Sequence, residues 1–523
     1  MKTVSKYFFL AVAACLSLTA CEDMMDLQPE GATKTDALKL DAYTKIPANA
    51  IAEINAIYAQ MIALYAGGTS NHNDFGIASC MMLLESEGQD WIGPNTGYNW
   101  FGYSDFYARN YNAAVNLMMW NTYYKTIAAC NNVCASTDPE TQNPDAMANL
   151  GQARAVRAYC YTVLAQLYQF PYSDATKNLP CVPIVVENMS AERQTANPRA
   201  TVQEVYDLIM SDLNYAVTAL EGWERADKAA ADQAVAYGLR ARVNMLLGNY
   251  TAAAQDAAAA IQVSGAQPYT LAEVSKPTFC HAEAKSVIWA NIIVESNDVV
   301  QTGIINWPSH MSSLYVDGYT GVGTYRSISS DLYSKIPTTD VRKGWWLNEN
   351  LQSPLLEGTN NPYSVWKAYI EDGMQYANVK FGVPDDDMVN LVADADWTLM
   401  RYEEMLLIQA EALARSGAEG EAKALLEGWV KENRDPSYTV GLNILDEIWM
   451  QRRIELWGEG FAWFDLNRLH KPIIRTNSTN WPEAWVVDVA ANHACRIWTL
   501  PDREIQNNDG ISEQDNNPVG NPF

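Results

Sequence analysis

The chain has 523 residues, enough for one large domain or for two to three ordinary ones. Its 62 acidic and 36 basic residues give a formal net charge of -26, which argues against a nucleic-acid partner because phosphates would be repelled. Apolar residues make up 48% of the chain, so it can bury a core and is not a disordered tail. With 17 Trp and 28 Tyr against 5 His, the composition favours aromatic binding over metal or histidine chemistry.

The first 20 residues have the composition of a secretory signal. Two lysines precede an apolar stretch from Tyr7 to Leu18, which is too short for a spanning helix of about 20 residues. The sequence Leu18-Thr19-Ala20-Cys21 then resembles the lipobox of bacterial lipoproteins, where a diacylglyceryl group acylates the cysteine and the chain is cut just before it. An ordinary cleavage site that ends in cysteine is the alternative. We expect lipidation at Cys21, an acidic tether over 21–44, and a protein anchored to a membrane rather than threaded through it.

Apolar residues recur with a period near 3.6 along most of the body, which predicts a mostly helical fold. One helix opens with Thr201-Val-Gln-Glu204, the pattern of a capping box. The predicted helices span residues 48–66, 112–134, 152–168, 201–220, 229–247, 252–263, 399–415, 418–431 and 444–457.

Two pairs of these helices are predicted to form helical hairpins. The first turns at Gly248-Asn249-Tyr250 and follows the tetratricopeptide pattern, with small and aromatic residues at the expected offsets: Tyr237, Ala241, Gly248, Tyr250, Ala253 and Ala260. The second turns at Ser416-Gly417. Because a long stretch separates them, we expect one helical layer with insertions laid on it, not a continuous solenoid.

The character of the sequence changes between about Asn291 and Asn390. Gly, Ser, Asn, Pro and aromatic residues dominate there, beside short apolar runs such as Ser286–Val294. Loops this long inside a domain are usually functional or disordered, and the aromatic content favours an ordered, functional region.

Several segments, read in order, resemble the SusD/RagB family of nutrient-binding outer-membrane lipoproteins. The strongest is Arg452-Arg453-Ile-Glu455-Leu456 with Glu459-Gly460-Phe461 and Trp463-Phe464-Asp465-Leu466-Asn-Arg468. The chain departs from the family at Ala462, where arginine is common, and at its closing Asn521-Pro522-Phe523. The other matching segments are Arg154–Pro171, Thr201–Leu213, Leu399–Ala412, Leu500–Ile505 and Asn517-Pro518.

This resemblance implies a surface lipoprotein of the bacterial outer membrane that forms the lid of a SusC-like TonB-dependent transporter and hands it nutrients, most often oligosaccharides. It implies four tetratricopeptide-like helix pairs on the transporter side and a loop-built ligand site on the other. We therefore expect a single SusD-like domain over 45–523. Its expected parts are a helical scaffold at about 45–290 and 397–470, a loop-rich ligand-side insertion at about 291–396, and a C-terminal segment at 471–523.

Seven cysteines remain besides Cys15 and Cys21, so a monomer keeps at least one free thiol. None shows CxxC or zinc-ligand spacing, and buried free thiols are the favoured interpretation. We expect no cofactor and no metal. The Asp385-Asp386-Asp387 trio could hold calcium, but the rest of an EF-hand loop is missing.

The charged cluster around Arg452, Glu455 and Asp465 mixes signs at helical spacing, which is typical of a structural ion-pair network and not of a catalytic acid pair. Glu403-Glu404 is interpreted as solvated. Neither a Gly-x-Ser-x-Gly elbow nor an HExxH motif occurs in the sequence, and we expect no catalytic residues.

Aromatic residues in loops are the candidate ligand binders, because a flat ring covers the apolar face of a sugar while polar neighbours bind its hydroxyls. Tryptophans that fold back onto the core are the alternative. One turn-rich loop spans 90–100 and the second loop region begins at Trp307. The candidates are Trp91, Asn95, Tyr98, Trp100, Trp307, Tyr315, Tyr319 and Tyr325.

The sequence therefore predicts a binding module for an oligosaccharide. A second possibility keeps the lid role for a peptide or other nutrient, which would need a deep apolar or charged pocket. A helical glycoside hydrolase is the rival, and it would need two carboxylates about 5–10 Å apart across a groove.

Overall fold

The computed structural model describes residue 39 and residues 46–357, 373–383 and 392–523. The predicted signal, Cys21, the tether except Lys39, and the Asp385–Asp387 trio lie outside the described residues. The helices are α1 Ile51–Met61, α2 Ile77–Ser86, α3 Ala114–Ala135, α4 Pro144–Tyr168, α5 Ala191–Thr195, α6 Val202–Ala219, α7 Gln233–Leu246, α8 Tyr250–Ser264, α9 Leu271–Val274, α10 Asp298–Gln301, α11 Trp307–Met311, α12 Ser330–Lys335, α13 Tyr402–Arg415, α14 Glu419–Asn433, α15 Ile444–Glu455, α16 Ala462–Arg468 and α17 Asp502–Asn507.

In the described ranges, six short strands form three antiparallel pairs, β1 with β3, β2 with β4 and β5 with β6. The strands are β1 Trp91–Ile92, β2 Val287–Asn291, β3 Ser327–Ile328, β4 Trp397–Arg401, β5 Ile473–Ile474 and β6 Asp488–Val489. The prediction of a helix from residue 399 is wrong at its start. Residues 397–401 pair with β2 instead, because both strands bury their apolar residues in the same core, and the helix begins at Tyr402.

Within the described residues, eight helices pack as four pairs: α1 with α3, α4 with α6, α7 with α8, and α13 with α14. Successive pairs also pack on each other, through α3 on α4, α6 on α7 and α8 on α13. The mostly helical fold with paired helices is confirmed. The expectation of one helical layer agrees with the structure, because α8 packs directly on α13 although the long insertion separates them in the sequence.

Local chemistry explains most helix ends. The Thr201–Glu204 capping box is present at α6, and Asp232 accepts from the Val235 N–H at the start of α7. Helix α4 begins eight residues before its predicted start, since Asn143 caps it and Pro144 occupies the first turn. Sequence periodicity missed α2, because every one of its residues is buried and it has no polar face.

The loop-rich part of the fold, as far as it is described, is ordered by short helices and turns. Helices α10 to α12 lie between β2 and β4, together with 3₁₀ turns at Tyr319–Val322, Val341–Trp345 and Pro354–Leu356. Seven cysteines in the described residues are buried, which confirms the predicted burial: Cys80, Cys130, Cys134, Cys160, Cys181, Cys280 and Cys495.

Candidate ligand-binding site

Trp91 belongs to the core and not to the surface. It pairs with Ile328 in the β1–β3 ladder, and its side chain is 0% exposed. The Arg326 guanidinium carbon lies 4.6 Å from the centre of its ring. The expectation that this ring faces a ligand is therefore wrong: one indole face supports a buried cation instead.

Trp307 is also turned inward, at 3% exposure. Its indole N–H donates to the Ala395 carbonyl at 2.7 Å, and its ring meets the edges of Phe381 and Trp397. Tyr315 is buried as well, and its hydroxyl donates to the Gly303 carbonyl at 3.1 Å. Both residues satisfy their polar atoms inside the fold, so the expectation that they face a ligand is wrong for them too.

Two predicted residues, Trp100 and Tyr319, do meet, around a histidine that the sequence did not single out. The Trp100 ring stacks on the His72 ring, with centroids 5.0 Å apart and planes 21° apart. The Tyr319 ring meets the same imidazole edge-on at 5.9 Å, and its hydroxyl is hydrogen-bonded to His72 Nδ1. Burial raises the pKa of Tyr319, a side-chain hydrogen bond with Trp100 opposes this effect, and Tyr98 raises the pKa further by a smaller amount. Tyr98 stands two residues before Trp100 in the same loop. We call Tyr98, Trp100, His72 and Tyr319 the aromatic cluster.

The residues of the aromatic cluster differ in how much of their surface is exposed to solvent. Tyr98 is 62% exposed, His72 and Trp100 are half-buried, and Tyr319 is 8% exposed. Asn95 lies exposed in the same loop as Tyr98 and Trp100. The cluster therefore offers ring surface with a polar group beside it, the combination that a sugar requires.

A column of buried rings supports the aromatic cluster from below. His310 stacks on Tyr319 at 4.5 Å and on Phe75 at 5.6 Å, with planes about parallel in both contacts. The His310 Nε2–H donates to the His72 carbonyl at 3.0 Å, which fixes the tautomer. Burial, with Arg326 nearby, holds the pKa of His310 well below its usual range, so the ring stays neutral.

Arg326 and Asn99 hold the loop that carries Tyr98 and Trp100. Arg326 Nη1 donates to the Asn99 amide oxygen at 2.8 Å, and Asn99 Nδ2 donates to the Pro94 carbonyl at 2.8 Å. Arg326 Nε donates to the His310 carbonyl, so one guanidinium ties this loop to the ring column. Burial lowers the pKa of Arg326 to about 9.

The turn before Tyr319 needs a residue without a side chain. The Tyr319 N–H donates to Ser309 Oγ at 3.0 Å, which draws the turn against α11. A Cβ on Gly318 would lie 2.5 Å from that same oxygen and 2.6 Å from the Ser309 Cα, a backbone atom that cannot swing aside. Gly318 thereby lets Tyr319 reach the cluster.

Tyr325, the last predicted residue, is half-buried and lies apart from these contacts. Its hydroxyl donates to the Gly373 carbonyl, which belongs to a different loop.

Sequence reasoning missed His72, His310, Arg326 and Asn99. His72 stands in the polar run Ser70-Asn71-His72-Asn73-Asp74 between apolar segments, in a chain with only 5 histidines, and that was an available signal. Nothing local marks His310 or Arg326, because their roles come from contacts across more than 200 residues.

The charged cluster of the C-terminal motif is structural, and its partners are tertiary. Glu455 binds the guanidinium groups of Arg342, Arg401 and Arg434 at 2.8–3.1 Å, and these cations hold its pKa well below the usual range despite its burial. Arg452 pairs with Asp465 at 2.7 Å. The ion-pair network is confirmed, although Arg452 and Glu455 do not pair with each other as helical neighbours.

Glu403 and Glu404 are buried, so the expectation that they are solvated is wrong. Glu403 pairs with Arg401 and Arg434, and Glu404 pairs with Arg242. Among the described residues, no group of three or more His, Cys, Asp or Glu side chains is arranged to hold a metal ion.

Comparisons with known proteins agree with this mostly helical architecture. Residues 41–245 match a SusD-like family described as "Starch-binding associating with outer membrane", and residues 360–519 match the SusD family. A SusD-like protein of Formosa agariphila is 24% identical over 393 residues, which are 69% of this chain and 74% of that protein. The chain belongs to the SusD/RagB family.

Solved structures share the fold. A SusD-like carbohydrate binding protein from Bacteroides vulgatus superposes with a TM-score of 0.71 at 20% identity, over 90% of this chain and 98% of that one. Surface glycan-binding protein A from Bacteroides thetaiotaomicron, solved in complex with laminarihexaose, gives 0.63 at 17% identity, over 91% and 99%. None of the helices in the described part of the chain is both long and apolar enough to cross a membrane.

Proposed function

We propose that the chain binds an oligosaccharide at the aromatic cluster and carries out no reaction on it. The observation that carries the proposal is the half-buried Trp100–His72 stack, on a loop that Arg326 and Asn99 hold and that also carries the exposed Tyr98. Such a platform covers the apolar face of a sugar, and His72, Asn95 and the Tyr98 hydroxyl are placed to bind its hydroxyl groups. The laminarihexaose complex of a relative with the same fold supports this ligand class.

The cellular role follows from the family and the N-terminal motif. We propose that Cys21 is lipidated and anchors the chain at the bacterial cell surface, where it forms the lid of a SusC-like TonB-dependent outer-membrane transporter. The helix pairs would face the transporter, and the aromatic cluster would face the nutrient. Tagged chain mixed with detergent-solubilised outer membranes should retain such a transporter, identified by mass spectrometry. Retention of none would contradict the lid role.

Glycan binding is tested by affinity electrophoresis of the mature chain through gels containing laminarin, starch, xylan or pectin. We expect at least one polysaccharide to retard the wild type. Trp100→Ala should reduce the retardation by about tenfold in affinity, because an aromatic contact contributes about 0.5–1.5 kcal/mol beyond its buried area. Trp223→Ala is the matched control, since Trp223 is also half-buried but lies on the helical scaffold.

The same experiment separates the other two possibilities. If the chain binds a casein peptide mixture and no polysaccharide, its proposed role as a transporter lid remains, but its ligand is a peptide. Release of reducing sugar from the retained polysaccharide would favour a hydrolase. The carboxylates of the C-terminal motif are engaged by arginines, which supports a structural role for them.

A further inference from the structure

An open groove of about 530 Å³ lies on the loop-rich part of the fold, apart from the aromatic cluster. Its lining comes from α12, which carries Tyr333, from the segment 338–354, and from Tyr376. Tyr325, predicted as a ligand binder, donates to the carbonyl of Gly373, three residues before Tyr376. None of the residues of the aromatic cluster lines this groove.

Two half-buried tyrosines face each other in the groove. The ring centroids of Tyr333 and Tyr376 are 5.0 Å apart, with planes inclined at 59°. Lys343 Nζ lies 4.6 Å from the Tyr333 ring centre and donates to the Ile336 carbonyl at 2.7 Å, which fixes it beside the ring. The pair forms a corner that offers ring surface in two directions.

Backbone strain is stored where Tyr376 enters the groove. Its φ is 66°, a left-handed conformation that L side chains rarely adopt. Hydrogen bonds on both sides impose it, since the Tyr376 N–H donates to the Leu347 carbonyl and its carbonyl accepts from the Ile328 N–H, both at 3.0 Å. Strain that is held this firmly is characteristic of ligand-binding positions.

Polar groups surround the tyrosine corner. Glu349 accepts from the Tyr376 hydroxyl at 3.1 Å, and it lies exposed with Gln352 beside half-buried Asn348. The Trp346 indole N–H, in a side chain that lines the groove, is buried and has no acceptor among the described residues. Burial, Tyr376 and Glu349 raise the pKa of Tyr333 to about 12, so its hydroxyl remains a donor at neutral pH.

We propose that this groove is a second carbohydrate-binding site, which takes one or two sugar units of the polysaccharide that the aromatic cluster binds. Tyr333 and Tyr376 pack on sugar faces, and the carboxylate and amides of Glu349, Gln352 and Asn348 bind hydroxyls. The inference rests on the proposed function, since it assigns the same class of ligand. Two sites on one chain make polysaccharide binding bivalent, which raises affinity without any new contact.

The test uses the mature chain and the same gels of laminarin, starch, xylan and pectin. Tyr333→Ala should weaken retention by the bound polysaccharide about twofold to tenfold, whereas Tyr333→Phe, which keeps the ring, should retain it. Combined with Trp100→Ala, the Ala variant should abolish the retention that remains in the single variant. Tyr111→Ala is the control, because Tyr111 is an exposed tyrosine that lines neither site.

The outcomes separate the two proposals. If Tyr333→Ala migrates as the wild type does while Trp100→Ala loses retention, the groove does not bind glycan and the inference is overturned. If Tyr333→Ala abolishes retention and Trp100→Ala leaves it unchanged, the groove binds glycan and the aromatic cluster does not. If no polysaccharide retards the wild type, both fail together. Circular dichroism of each variant must show wild-type melting for these comparisons to count.

Discussion

Asn99 connects the exposed loop to the buried part of the site, although its own side chain offers little to a ligand. Its amide oxygen accepts from Arg326 and from the Phe101 N–H, and its amide nitrogen donates to Pro94. We expect Asn99→Ala to lower the free energy of unfolding by about 1–3 kcal/mol, because a buried guanidinium N–H loses its acceptor. Urea denaturation measures this, with exposed Asn95→Ala as the control. Equal stability of the two variants would contradict it.

Glu85 should make the protein less stable as pH rises. Burial raises its pKa from 4.5 in the unfolded chain to about 7 in the fold. The folded state therefore holds the extra proton between these values, and stability falls as pH rises from 4.5 to 7, by up to about 3 kcal/mol. Glu85→Gln should remove this slope and be the more stable form at pH 8, as measured by urea denaturation across pH.

Glu411 provides the opposite case. Against the effect of burial, Arg468, Arg452 and Arg415 lower its pKa to about 2. The stabilisation of the fold by ionised Glu411 is fully present above pH 4.5 and is lost as pH falls towards 2. Glu411→Gln should therefore be less stable than the wild type at pH 7, and the difference should shrink on acidification. If Glu85→Gln and Glu411→Gln showed the same pH slope, both assignments would be wrong.

Among the elements, β4 and α13 meet at Arg401, the residue where the strand ends. Its guanidinium pairs with Glu403, Glu455 and Glu459 at 2.7–2.9 Å, all of them buried. We expect Arg401→Met to cost about 3–5 kcal/mol, because buried carboxylates lose their cation. Lys431→Met, which breaks an exposed helical pair, should cost less than about 1 kcal/mol. Chemical denaturation compares the two, and similar losses would contradict the prediction.

Helix positions were the part of the fold most open to prediction, because periodicity and caps such as Thr201 act over a few residues. Helix α2 and strand β4 were not, since a fully buried helix shows no period and a strand is recognised through its partner. In the site, aromatic content identified the loops carrying Trp100 and Tyr319. It could not separate these residues from Trp91 and Trp307, because only tertiary packing decides which way a ring turns.

At the scale of the whole molecule, the net charge of -26 bears on which glycans can bind. A neutral polysaccharide gains nothing from a negative surface, so its affinity should change by less than about twofold between 0.01 and 0.15 M salt, where the Debye length falls from about 30 to 8 Å. An acidic polysaccharide should instead bind more tightly at higher salt. Isothermal titration at the two salt concentrations measures this, and strong weakening by salt would contradict both expectations.

The seven buried thiols affect what happens after the protein unfolds. Burial protects them from reaction: it raises the pKa of Cys181 and of Cys134 to about 12, which leaves almost no reactive thiolate. Heating in air would release all seven at once into an oxidising solvent, where random cross-linking prevents refolding. The lifetime of the folded protein under oxidising conditions then depends on how rarely it unfolds. Adding a reductant should make its thermal unfolding reversible.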